Sequence, residues 1–164
     1  KQLSRIATGQ DGRAIRSGEV QRTISSESTF NDDIHGRNEL LEKLWPLCEQ
    51  VSDQLKNKKL VAGTLVLKLK TSHFQVITRS RKLVRPTQYG TDLFDISKLL
   101  VSGEADGRKF RLIGIATKDL TDADEPNHND LFGTTRAHAT EEIIDRVRKR
   151  FGKEAIKKGR SFAT

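Results

Sequence analysis

The sequence has one cysteine, Cys48, and no methionine at all. A single thiol leaves no intrachain disulfide and no cysteine-built zinc site, and it suits a reducing cytoplasm. The lack of methionine, even at position 1, gives the expectation that the chain is a piece of something longer. No apolar run approaches the roughly 20 residues of a membrane helix, and no signal peptide opens the chain. The histidines, His35, His73, His128 and His138, do not fall at metal-ligand spacings and read as surface residues. There is no glycine-rich phosphate loop, no nucleophile motif, and no strand with the carboxylate pair of a two-metal site. Catalytic residues and metal ligands are therefore both expected to be none, which describes a binding module rather than a complete enzyme.

What the chain has instead is positive charge: 30 Lys+Arg against 22 Asp+Glu, net +8 over 164 residues. That balance favours nucleic acid or another anionic partner and is silent about fold. The length suits one domain with a real core plus some tail. The cations concentrate where the pattern is clearest, in GTLVLKLKTSHFQVITRSRKL at 63–83. Leu65, Leu67 and Leu69 alternate with Thr64, Val66, Lys68 and Lys70, as along a strand with one apolar face. Ser72 and His73 make the expected turn. In the second strand Val76, Thr78 and Ser80 share one face while Ile77, Arg79 and Arg81 share the other. This predicts an open sheet face carrying Lys68, Lys70, Arg79 and Arg81, suited to a polyanion.

Along the rest of the chain, residues 1–8 read as the end of a helix stopped at Gly9, and 9–20 as a glycine- and charge-rich linker. QRTISSESTF at 21–30 alternates as a strand with Ile24 and Phe30 on one face and Arg22 near its start. Its hydroxyls either admit a phosphate to the backbone amides or keep an edge strand polar. A helix is predicted over 36–59 from the stripe Leu40, Leu44, Leu47, Val51 and Leu55, with Trp45 and Cys48 in the core. Pro46 should bend or divide it. A second helix is predicted over 88–101, capped by Thr87, with Tyr89, Leu93, Phe94, Ile96, Leu99 and Leu100 on its apolar face. A fourth strand follows over 109–117, where Gly114 implies a close backbone approach. Beyond an acidic loop, a last helix is predicted over 140–150, capped by Thr140, with Ile143, Ile144 and Val147 apolar and a basic tail behind it. Within the loop, the apolar pair in Asp130-Leu131-Phe132 is either tucked onto the domain or offered to a partner.

The predicted fold class is α+β: a four-stranded sheet with two helices on one face, in the order βαββαβ, plus a C-terminal helix. The uncovered face, open and basic, could lie along a groove of duplex DNA.

SSESTF at 25–30, GTLVLKLK at 63–70, FQVITRSRKL at 74–83 and FRLIGI at 110–115 resemble the little finger domain of Y-family translesion DNA polymerases, of the polymerase IV branch. RFGKEAI at 150–156 is similar to a C-terminal segment of longer members. The resemblance implies a division into thumb end and linker (1–20), little finger (21–120), acidic loop (121–139), and C-terminal helix with basic tail (140–164). It implies DNA repair by lesion bypass in the cytoplasm, a monomer, and template-primer duplex gripped mainly by its phosphates. On this reading Lys68, Lys70, Arg79 and Arg81 neutralise phosphates, while Arg22, Thr23, Ser25, Thr78 and Ser80 or their amides take further oxygens. It also implies no cofactor in this chain, since the magnesium and catalytic carboxylates of such polymerases belong to a palm domain. HNDLF at 128–132 resembles the sliding-clamp peptide of many polymerase IV proteins, with His128 where glutamine is usual. An RNA-recognition domain shares the order of elements, but it stacks bases on sheet aromatics. Here the central strands offer only Phe74, which parity places with Val76 on the apolar side. The other rival is a small stand-alone enzyme on a ferredoxin-like scaffold.

Overall fold

The computed structural model describes residues 23–124, 135–157 and 159. Strand β1 (Ile24–Ile34), helix α1 (Arg37–Asn57), β2 (Leu60–Thr71), β3 (Val76–Thr87), α2 (Gly90–Ser102) and β4 (Phe110–Asp122) follow in the predicted order, then helix α3 (Arg136–Phe151). The strands form one antiparallel sheet in spatial order β1-β4-β2-β3, so β1 and β3 are its edges.

The alternation in β2 explains the first packing layer. Leu65, Leu67 and Leu69 point to one side and are fully buried, with Ile113 and Ile115 of β4 and Ile24 of β1 beside them. Helix α1 lays Leu40, Leu44, Leu47, Val51 and Leu55 on this surface, and α2 adds Leu93, Phe94 and Val101. Burying each such side chain contributes about 1.5–3 kcal/mol, which makes this layer the source of most of the stability. Trp45 meets Phe94 edge to face at 5.2 Å, joining the two helices. Leu99, predicted to be buried, is 57% exposed, and Val101 fills the core position instead.

Helix α1 is continuous through Pro46, so the predicted division does not occur. Pro46 lies on the exposed side, and so does Glu42, whose carbonyl loses its helical donor. Water can satisfy that carbonyl, which limits the cost of the proline. Pro86 falls in β3, an edge strand, at a break in register: from Thr64↔Lys82 to Ala62↔Thr87, β2 advances two positions and β3 five. An edge strand at a bulge is where a sheet tolerates the missing N–H.

Helix α3 forms a third layer on the outer side of α1 and α2. It begins at Arg136, capped by the Thr135 hydroxyl, which accepts from the His138 N–H at 3.2 Å. Thr140, the predicted cap, lies one turn inside, and its hydroxyl donates to the Arg136 carbonyl at 2.8 Å. Of the apolar residues predicted to anchor it, Ile144 is buried and Ile143 is exposed. The helix is fixed largely by charge. Glu141, only 3% exposed, accepts from the Gly90 N–H at 2.8 Å and the Thr91 N–H at 3.2 Å. It also takes a 2.6 Å ion pair from Lys56, which reaches Asp145 at 2.6 Å as well. A carboxylate from α3 thus satisfies the first amides of α2, whose own N-cap residue, Tyr89, makes no side-chain cap. The predicted cap Thr87 sits two residues earlier and instead accepts from the Tyr89 N–H at 3.2 Å and donates to Asp92 at 2.6 Å.

Burial would lower the Lys56 pKa, but the hydrogen bonds from its ammonium to Asp145 and Glu141 outweigh it and hold the group above the ordinary lysine value. Burial pushes the Tyr89 hydroxyl upward, helped by the 2.7 Å hydrogen bond it donates to Glu142. Cys48 is fully buried, and burial raises its thiol far above the reactive range.

Candidate nucleic-acid interface

Register decides which side chains share a face. On β2 and β3, Thr64 pairs with Lys82, Val66 with Ser80, Lys68 with Thr78 and Lys70 with Val76. On β2 and β4, the same β2 residues pair with Lys118, Ala116, Gly114 and Leu112. On β1, Ser25, Glu27 and Thr29 oppose Ala116, Gly114 and Leu112. All of these lie on the side of the sheet away from α1 and α2. That open face therefore carries four lysines, Lys68, Lys70, Lys82 and Lys118, ringed by the exposed hydroxyls of Ser25, Thr29, Thr78 and Ser80.

Arg79 and Arg81 are not among them. They pair with Leu67 and Leu65 and stand on the helix side of edge strand β3. Arg79 turns toward Glu104, just beyond α2, at 2.6 Å. The predicted cluster of four cations is thus divided by the sheet, two on each side. The cause is the turn. A two-residue turn at Ser72-His73 would have set Arg79 and Arg81 opposite the lysines. Instead the Thr71 N–H donates to the Gln75 carbonyl at 2.9 Å and closes a three-residue loop, Ser72-His73-Phe74. One extra residue reverses every side chain of the following strand.

The same shift relocates Phe74 and Val76. Neither is on the apolar side: Phe74 is 60% and Val76 56% exposed. Phe74 takes a left-handed backbone, φ 64°, and its ring centre lies 4.9 Å from Lys70 Nζ and 4.2 Å from the Arg111 guanidinium.

Among the described residues, Lys68 is the one open-face lysine held in an ion pair, with Glu27 at 2.8 Å. Gly114 lies between these two in the register, and an added Cβ there would come within 2.7 Å of the Glu27 Cβ. The close approach that this glycine foretold is that of neighbouring strand β1, and the carboxylate and ammonium meet over the gap. The open face is therefore positive but not uniformly so.

Of the remaining predicted site residues, Thr23 is exposed just before β1, while Arg22, Asp130, Leu131 and Phe132 lie outside the described residues. Lys82, Lys118 and Arg111 were missed. The alternation through Val76, Thr78 and Ser80 already placed Lys82 with them, and that through Leu112, Gly114 and Ala116 pointed to Lys118. Among the described residues no group of three or more His, Cys, Asp or Glu side chains could hold a metal ion. No described helix is long and apolar enough to cross a membrane.

Residues 21–131 match the family model for the impB/mucB/samB family C-terminal domain. The chain is 40% identical over 162 residues to a DNA polymerase IV of Caulobacter vibrioides, covering 98% of this chain and 40% of that protein. A DNA polymerase IV of Brucella melitensis is 39% identical over 166 residues, covering 99% and 37%. The chain thus spans about two fifths of the length of these curated relatives. Among solved structures, a complex of the beta-clamp processivity factor and the little finger domain of PolIV aligns with TM-score 0.53 and 24% identity, over 63% of this chain and 93% of that one. An insertion ternary complex of Dbh DNA polymerase aligns with TM-score 0.55 and 10% identity, over 74% and 35%. At these identities the structural likeness is one of fold, whereas the match over residues 21–131 is one of sequence family. The chain belongs to the impB/mucB/samB family, of which it carries the C-terminal domain.

Proposed function

We propose that this chain is the little finger, the C-terminal DNA-binding domain, of a polymerase IV-like Y-family translesion DNA polymerase. The observation that carries the reading is the open sheet face with Lys68, Lys70, Lys82 and Lys118 on three adjacent strands. Ammonium groups spread over a sheet and flanked by hydroxyls match the sugar-phosphate rails of a duplex. They neutralise phosphates, while Ser25, Thr78 and Ser80 offer hydrogen bonds to further oxygens. Contacts of this kind fix position without reading bases, which suits a polymerase that must accept damaged templates. The parent enzyme transfers nucleotides onto a primer. Its metal-binding carboxylates, and the magnesium they hold, belong to a palm domain.

Within the chain, residues 21–120 serve as the DNA-binding unit, preceded by the thumb end and linker at 1–20. Asp130-Leu131-Phe132 is read as a docking peptide for a sliding clamp, on the likeness of HNDLF at 128–132 to such peptides. The setting is the cytoplasm. The direct experiment titrates the chain with primed duplex DNA over a series of salt concentrations. Binding that weakens steeply with salt is expected. A flat response would refute the reading, and a preference for single-stranded RNA over primed duplex would favour an RNA-binding module.

A further inference from the structure

We propose that Phe74, at the β2–β3 turn, is a stacking platform for an unpaired nucleobase. The lysine face would then hold a duplex by its phosphates while the turn holds an adjoining single strand by a base. The inference rests on the reading of the open face as a DNA-binding surface.

Three observations carry it. First, Phe74 is 60% exposed while Trp45, Phe94 and Phe110 are in the core, and among the described residues it is the aromatic beside the open-face lysines. Second, it occupies the left-handed position, φ 64°, that closes a three-residue hairpin loop. That position ordinarily takes glycine or asparagine, and a bulky ring there is strained unless its surroundings fix it. Here they do. The Phe74 N–H donates to the Thr71 carbonyl at 2.9 Å, the Gln75 N–H to the Thr71 hydroxyl at 3.2 Å, and the Ser72 N–H to the Lys109 carbonyl at 3.0 Å. The ring is presented by a loop tied on both sides. Third, the Arg111 guanidinium at 4.2 Å and Lys70 Nζ at 4.9 Å lie over the ring, so a base stacks on the ring surface they leave exposed and the two cations meet its flanking phosphates. An exposed aromatic ring in contact with cations is how single strands are held without regard to sequence, since every base offers a π-face. Bases inside a duplex have their faces covered by their neighbours, so the ligand is an unpaired base of single-stranded DNA next to the duplex.

The test compares binding of the 164-residue chain to a blunt duplex and to the same duplex with a short single-stranded 5′ extension carrying 2-aminopurine. Phe74→Asn removes the ring yet accepts the left-handed backbone, so the turn is kept; Phe74→Trp keeps a stacking surface. The extension should tighten binding and quench the 2-aminopurine in the unaltered chain and in Phe74→Trp. In Phe74→Asn the quench should vanish and the gain of about five- to 150-fold should be lost, with blunt-duplex affinity unchanged. Retention of the gain and quench in Phe74→Asn, or equal losses on both DNAs, would overturn the proposal. Failure of the unaltered chain to bind either DNA would overturn the DNA-binding reading itself, and this inference with it.

Discussion

Replacing Lys82 and Lys118 with alanine removes two of the four open-face lysines, and neither has an ion-pair partner among the described residues. If each lysine neutralises one phosphate, log affinity falls against log salt with a slope of about −3.6 for the unaltered chain and about −1.8 for the double variant. Over a fourfold rise in salt, these slopes mean losses of about 150-fold and about 12-fold respectively. Fluorescence anisotropy of a labelled primed duplex, read at several salt concentrations, gives both slopes. Glu27→Gln frees Lys68 from its 2.8 Å partner. That pair is solvent-exposed and worth about 0–1 kcal/mol, so the variant should bind about one- to five-fold more tightly with little change in slope. Arg79→Ala with Arg81→Ala is the contrasting pair, because both stand on the helix side of β3 and Arg79 is tied to Glu104 at 2.6 Å. It should leave the slope near that of the unaltered chain. If the arginine pair flattens the slope more than the lysine pair does, the open face is not the DNA-binding surface.

The packing makes further demands. Gly114→Val places a side chain where even a Cβ would lie 2.7 Å from the Glu27 Cβ. It should cost about 1–3 kcal/mol in thermal or urea unfolding, and Glu27→Gly in the same chain should restore part of the loss. Lys56→Met leaves the buried Glu141 carboxylate without its cation and should cost about 3 kcal/mol. Because the folded-state pKa of Lys56 is raised, that stabilisation is fully present below the ordinary lysine range and is lost as pH rises through the folded value. Urea midpoints of variant and parent should therefore differ by a constant amount near neutrality and converge in strong alkali. Cys48, buried with a raised thiol pKa, should resist alkylation in the folded chain and label at a rate set by unfolding.

The order of elements was legible because each strand and helix shows its own periodicity: Leu65, Leu67 and Leu69 at two, Leu40, Leu44, Leu47, Val51 and Leu55 at helical spacing. The open, lysine-bearing face of the sheet was legible for the same reason. Its composition was not, because the face of β3 depends on the length of one turn, and the residue in its left-handed position is a phenylalanine rather than the usual glycine or asparagine. The Glu141 contacts with the first turn of α2 were hidden too. They join residues about fifty positions apart, a distance no local pattern reports. Pro46 misled because the cost of a proline depends on whether water reaches the freed carbonyl, and exposure is a property of the finished fold.

The family model ends at residue 131, and helix α3 comes after it, within the part of the chain that still aligns with the Caulobacter and Brucella proteins. Yet the amide donors that open α2 find their acceptor on that later helix, through Glu141. The domain that the family model covers therefore stops short of the helix that supplies α2 with this acceptor. A chain trimmed at residue 131 would retain every strand of the sheet and leave the Gly90 and Thr91 amides of α2 to water in place of the Glu141 carboxylate.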